Sequence, residues 1–109
     1  MALRLVWILV LALAACGSNV GNDGSLVGGA CVNSNDCEFR CELGGEYPSG
    51  LCTVACSTDN DCPGNTFCID VEGGICMLGC RVPDDCRGGY NCRGRKNRGT
   101  GGDSLVCSH

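Results

Sequence analysis

Apolar residues are distributed very unevenly along this 109-residue chain. After Arg4, the segment Leu5 to Leu13 is one uninterrupted apolar run, and Cys16-Gly17-Ser18-Asn19 closes it. A membrane-spanning helix needs roughly 20 apolar residues, so the run is too short to be a retained span. Its basic start and small-residue end have the layout of a secretory signal. Beyond it, large apolar side chains come only in short pieces. Ile69-Asp70-Val71 alternates, Glu72-Gly73-Gly74 has turn composition and Ile75-Cys76-Met77 returns, which predicts a β-hairpin. The same plan recurs upstream, with Gly44-Gly45 and Pro48-Ser49-Gly50 in a longer turn. Toward the C-terminus, Ser104-Leu105-Val106-Cys107 follows a stretch whose glycine and charge predict a loop rather than a strand.

Cysteine organises the remainder. The chain has 13 cysteines, and after Cys16 they fall into three units. Cys31, Cys37, Cys41 and Cys52 form the first, Cys56, Cys62, Cys68 and Cys76 the second, and Cys80, Cys86, Cys92 and Cys107 the third. Five residues always separate the first two cysteines of a unit, and three residues separate one unit from the next. The first gap ends in Asn35-Asp36, Asn60-Asp61 or Asp84-Asp85, and the fourth cysteine always follows an apolar residue, Leu51, Ile75 or Val106. Repetition at this many positions marks an internal repeat. The Asp before the second cysteine predicts an Asx-type turn, its carboxylate accepting from nearby backbone N–H groups.

One such unit is too small to fold on apolar burial alone. Two disulfides closing short loops would each remove roughly 3 kcal/mol of unfolded-chain entropy. Four cysteines permit three pairings. First with third and second with fourth is the favoured one, because crossed links tie the hairpin back onto the turn. All bridges are then expected within units and none between them.

Leu13-Ala14-Ala15-Cys16 resembles a bacterial lipobox. That resemblance implies diacylglycerol on the Cys16 thiol, removal of residues 1–15, and Cys16 as the first mature residue. It also leaves an even number of cysteines for an oxidising compartment, where such density means disulfides. From Gly17 to Ala30 the chain is mostly Gly, Ser, Asn and Asp, the composition of a flexible tether. Gly17 stands where an Asp tends to retain Gram-negative lipoproteins in the inner membrane, so the expected destination is the outer membrane or cell surface.

Residues 56–68, Cys-Ser-Thr-Asp-Asn-Asp-Cys-Pro-Gly-Asn-Thr-Phe-Cys, resemble the Dickkopf N-terminal cysteine-rich domain, in which a Cys-x-x-Asp-x-Asp-Cys segment leads into a third cysteine and a hairpin. They are also similar to the first half of a whey-acidic-protein four-disulfide core, with Cys68-Ile69 where that core has adjacent cysteines. The whole layout resembles small cysteine-rich lipoproteins of the myxobacterial type. These likenesses imply a fold type and carry no activity.

Charge narrows the partners. Without the first 15 residues seven bases face twelve acids, which argues against nucleic acid, where phosphate neutralisation dominates affinity. Bases concentrate late: Arg93, Arg95, Lys96 and Arg98 precede Cys107 in a 14-residue gap. They are candidate contacts for anionic headgroups, polysaccharide or an acidic partner. The plainer expectation is a solvated, protease-sensitive loop. The sole histidine, His109, is the last residue, a poor base for nucleophilic catalysis. Cys37/Cys41, Cys52/Cys56 and Cys76/Cys80 have spacings open to thiolate metal binding. Asp59, Asp61 and Asp70 lack the closing Glu of a calcium loop and read as turn formers.

The expected architecture is small and disulfide-rich, with three tandem four-cysteine units, short β-hairpins and little other regular structure. Residues 1–15 are read as a lipoprotein signal, 16–30 as a lipidated cysteine with its tether, and 31–107 as the cysteine-rich domain, with units 31–52, 56–76 and 80–107. The expected role is a non-enzymatic binding or structural module of the cell envelope, without cofactor. It would be held to a membrane by lipid and face an envelope protein or polysaccharide. The alternatives are a protease inhibitor presenting Glu42 to Leu51, and a thiolate metal-binding protein.

Overall fold

The computed structural model describes residues 19–109, so the segment read as a signal, residues 1–15, and the Cys16 lipidation call lie outside the described residues. Within them the three units have one plan: a single-turn 3-10 helix followed by an antiparallel hairpin. The turn Ser34–Asp36 leads into β1 (Arg40–Glu42) and β2 (Leu51–Thr53). Asp59–Asp61 leads into β3 (Thr66–Ile69) and β4 (Ile75–Leu78), and Pro83–Asp85 into β5 (Asn91–Lys96) and β6 (Asp103–Ser108). Each hairpin is its own two-stranded sheet.

The turns form because one carboxylate per unit satisfies two backbone donors. Asp36 Oδ2 accepts from the N–H groups of Val32 and Asn33 at 2.8 and 3.3 Å. Asp61 does the same for Ser57 and Thr58 at 2.8 and 3.2 Å, and Asp85 for Arg81 and Val82 at 2.8 and 3.2 Å. These hydrogen bonds hold the Asp61 and Asp85 carboxyls below the usual carboxylate range. The part these two carboxyls play in stability is therefore present at neutral pH and lost as the pH falls through those lowered values.

The hairpins place the third and fourth cysteines of every unit directly opposite each other: Cys41↔Cys52, Cys68↔Cys76 and Cys92↔Cys107. Opposed residues of a hairpin share a face, so two sulfurs leave each hairpin side by side. They reach the two cysteines that flank the 3-10 turn. The bridges are Cys31–Cys41 and Cys37–Cys52, Cys56–Cys68 and Cys62–Cys76, and Cys80–Cys92 and Cys86–Cys107. This is the crossed, within-unit pairing that the repeat favours, and it straps each turn onto one face of its hairpin.

The opposite face explains the apolar residue before every fourth cysteine. Side chains alternate across a strand, so Leu51, Ile75 and Val106 point away from the sulfurs. All three are buried, at 4%, 0% and 0% exposure, and they join Tyr47, Ile69 and Met77 in one cluster. Three equivalent positions of the repeat thus build a shared core, and the units are fused rather than strung in line. Backbone pairing continues across the seams, through the bridges Ala55↔Ile75, Ile69↔Asn97 and Gly79↔Val106. Thr53, fully buried, donates its hydroxyl to the Cys76 carbonyl at 2.6 Å. Gly50 and Gly74 sit at φ of 75° and 105°. A Cβ at either would collide with the carbonyl oxygen of Cys31 or Cys56, so the return of the hairpin past the first cysteine requires glycine there.

Two expectations change. The composition of residues 16–30 suggests a slack tether, yet its described part, 19–30, is folded onto the domain. Val20 and Val27 form a β-bridge, Gly28 N–H donates to the Cys52 carbonyl at 2.9 Å, and Cys52 N–H donates to the Gly29 carbonyl at 2.8 Å. Val27 is fully buried against Cys56, Cys68 and Cys76. The glycines permit close backbone approach, which composition alone does not distinguish from looseness. The third unit differs too: its polar stretch is not a mobile loop but most of the longest hairpin, β5 paired with β6 over six residues.

Asn97 explains that ordering. It is 1% exposed and every polar atom of its side chain is engaged. Its amide donates to Asp59 Oδ1 at 2.9 Å and Ser104 Oγ at 3.1 Å, and its oxygen accepts from Gly99 and Thr100 N–H at 2.9 and 3.1 Å. Asp59 also accepts from Cys68 N–H at 2.8 Å, so this amide joins units two and three. Replacing Asn97→Ala removes these bonds and leaves the half-buried Asp59 Oδ1 with one donor in place of two. We expect a loss of about 1–3 kcal/mol, measured by denaturant titration with the disulfides intact, together with faster tryptic cleavage after Arg98 than in the wild type.

Candidate functional site

The four bases singled out in the third unit do not converge. On β5, Arg93 and Arg95 share one face and Lys96 lies on the other. Arg93 is exposed, and Arg95 is half-buried with its guanidinium donating to Ser108 Oγ at 2.8 Å. Arg98 and Lys96 turn toward the second unit, where they meet the two oxygens of Asp70 at 3.0 and 3.9 Å. These pairs are exposed and contribute little to stability, but they occupy two of the four charges. Arg93 is left as the least engaged member of the proposed anionic contact.

A basic residue not singled out by sequence does more. Arg87, just after the second cysteine of unit three, donates to the carbonyls of Gly28 (3.0 Å), Pro48 (3.2 Å) and Gly50. Its guanidinium also lies over the Tyr90 ring, 4.4 Å from the centroid. Its own N–H donates to Asn22 Oδ1 at 3.1 Å, while Asn22 donates to the Asp85 carbonyl at 2.9 Å. One side chain thereby links the N-terminal segment, the first unit and the third. No signal in the sequence marks it, because its acceptors are backbone carbonyls that any residue carries.

Tyr47 and the acids around it form the second electrostatic feature. Tyr47 folds the Glu42 to Leu51 loop inward, being 6% exposed, and leaves Leu43, Gly44, Gly45 and Glu46 as the outward tip. Burial, reinforced by Glu72, Glu42 and Glu46, pushes its phenol up to about 12 from the ordinary 10.0. An unfolded chain ionises this phenol at the ordinary value, so the stability linked to keeping it neutral is complete below pH 10 and lost as the pH rises toward 12. Tyrosinate absorbance during an alkaline titration should accordingly lag the ordinary phenol curve. Tyr90, also raised by burial against the opposing influence of Arg87, contributes to the same lag. A titration with the midpoint of free tyrosine would contradict this.

The three acids considered for calcium serve separate purposes. Asp61 caps its turn, Asp59 bridges to Asn97, and Asp70 pairs with Lys96 and Arg98. The cysteine pairs considered for metal, Cys37/Cys41, Cys52/Cys56 and Cys76/Cys80, each belong to two different disulfides. Because the two bridges of a unit lie side by side, sulfurs still cluster. Cys31, Cys37 and Cys41, then Cys56, Cys62 and Cys76, then Cys80, Cys86 and Cys107 bring their Sγ atoms within 4.8 Å of one another. In the disulfide form these sulfurs are not thiolates, and the thiolate is the ligand.

A cleft of about 600 Å³ opens where the N-terminal segment meets units two and three. Val20, Phe67 and Leu78 supply its apolar surface, and Asn65, Arg81 and Asp85 its polar surface. Its size falls within the range of small-ligand pockets, but it contains no nucleophile–base pair. His109 is exposed beside Tyr47, Arg95 and Ser108, away from the cleft. Among the described residues no helix is long and apolar enough to cross a membrane. No family model, curated protein or solved structure matches this chain. A disulfide-rich module of this form is consistent with a structural or binding role.

Proposed function

We propose that this chain is a lipid-anchored protein of the cell envelope, at the outer membrane or cell surface, whose folded part is a non-catalytic binding or structural module. The observation that carries the reading is a parity. All twelve cysteines after Cys16 are paired in six bridges, and the thirteenth is the one in Leu13-Ala14-Ala15-Cys16. A domain built on disulfides needs an oxidising compartment, which the apolar leader would provide by export. A thiol without a partner is otherwise a liability there, and lipidation removes it. The likeness of residues 56–68 to the Dickkopf cysteine-rich domain rests on cysteine, Asp and Gly, whose roles here are architectural, so it supports a fold type only.

Metabolic labelling with palmitate and membrane fractionation test the anchor. Wild-type protein is expected to take up label and sediment with membranes. Cys16→Ser is expected to lose the label and remain unprocessed at this site, while the six bridges still form. Unlabelled, soluble wild-type protein would overturn the reading.

The sulfur clusters favour a second reading, a thiolate metal protein that operates reduced. It predicts free thiols in the native protein and cooperative refolding of reduced chain on zinc addition, since structural zinc contributes its binding energy to folding. Near-zero free thiols in native protein would exclude it.

A further inference from the structure

We infer that the anchored protein rests with the mouth of its cleft, and the Arg81–Val82 shoulder beside it, directly against the bilayer surface instead of standing off it. This rests on the Cys16 anchor proposed above. Its independent support is the docking of residues 19–30, which removes the slack that their composition suggests. Gly21 N–H donates to the Val27 carbonyl at 3.0 Å, Leu26 N–H to the Asn19 carbonyl at 2.8 Å, and Gly29 N–H to the Gly24 carbonyl at 2.9 Å. Arg87 of the third unit then fastens the segment through Gly28 and Asn22, and reaches the first unit through Pro48 and Gly50.

Only Gly17 and Ser18 separate Cys16 from the first described residue. Three peptide spans reach about 11 Å at most. Each headgroup layer is roughly 5–8 Å deep, so a thiol held at its inner edge leaves Asn19 little clearance from the lipid surface. Whatever surrounds Asn19 must face that surface. Val20 and Asn22 line the cleft together with Arg81 and Asp85, and Asn22 is hydrogen-bonded to the adjoining turn. The chemistry of this shoulder suits an interface. Val82 is 51% exposed, and Arg81 is exposed and forms no close ion pair among the described residues, its acidic neighbour, Asp85, being held by the backbone of the turn. Leu105, equally exposed, accepts the Cys80 N–H at 3.2 Å and extends the apolar surface past the cleft. An apolar side chain beside a cation is the pairing that partitions into headgroups.

Hydroxyl-radical footprinting tests this on lipidated protein reconstituted in phosphatidylethanolamine–phosphatidylglycerol vesicles. The reference is the mature chain carrying Cys16→Ala, exported behind an ordinary secretory leader and free of lipid. Oxidation of Val82 and Leu105 is expected to slow several-fold on the vesicles. Phe39 and Leu43 of the first unit, exposed but lining no part of the cleft, are expected to keep their rates. Palmitate content, measured on the same preparation, separates the two readings. Label present with Val82 unprotected, or with Phe39 and Leu43 protected in its place, overturns the orientation and leaves the anchor standing. Absent label removes both.

Discussion

Complete reduction of the six disulfides is expected to unfold residues 19–109 at room temperature and to collapse the amide dispersion expected of the oxidised protein. The strands are three to six residues long and lie in two-stranded sheets, which are marginal in water without other support. The apolar reserve is small, since the shared core has six buried members: Tyr47, Leu51, Ile69, Ile75, Met77 and Val106. The bridges close separations of 10 to 21 residues. In the chain-entropy account a loop of this size is worth about 3 kcal/mol, with the individual contributions not simply additive. Removing all of them exceeds the net stability of an ordinary small domain. An unchanged spectrum after thiol quantification confirms full reduction would overturn this account. Mass spectrometry of the unreduced digest checks the pairing beneath it, and a bridge between units, such as Cys52 to Cys56, would contradict the structure.

Arg87→Ala is expected to cost about 2–4 kcal/mol. The guanidinium serves three carbonyls and covers the Tyr90 ring. Hydrogen bonds to a charged donor contribute more than neutral ones, and their loss strands the acceptors. No disulfide joins the first unit to the third, so Arg87 carries much of that seam. The damage should therefore be local before it is global. Amide exchange is expected to accelerate first at Gly28 and Cys52, whose backbone bonds close the N-terminal segment onto β2, while the Asp61 turn keeps its protection. Arg87→Lys should recover only part of the loss, because one ammonium group cannot reproduce a planar fork reaching three separated acceptors. Denaturant midpoints together with residue-resolved exchange decide this. Wild-type stability in Arg87→Ala would mean that the seam is held elsewhere.

Both expectations follow from the way the chain divides local from distant information. Within a unit nearly everything was legible. Cysteine spacing, the Asp ahead of the second cysteine and the apolar residue ahead of the fourth all act over a few residues, through a turn, a hairpin and the two faces of a strand. The third hairpin was the exception inside a unit, because its ordering depends on Asn97 meeting Asp59 from the unit before. The candidate anionic contact read as one cluster in sequence for the same reason, since nothing local shows that Asp70 takes up Lys96 and Arg98.

By itself, then, the sequence determined the repeat, the turn chemistry and the within-unit bridges. Periodic spacing and short-range hydrogen bonding leave few alternatives for such features. Only the tertiary structure decided how the units fuse, that residues 19–30 pack instead of hanging free, and that Arg87 is the principal link between segments. Those outcomes rest on backbone carbonyls and amides made adjacent by folding, and every residue carries these groups, so no pattern of side chains announces them.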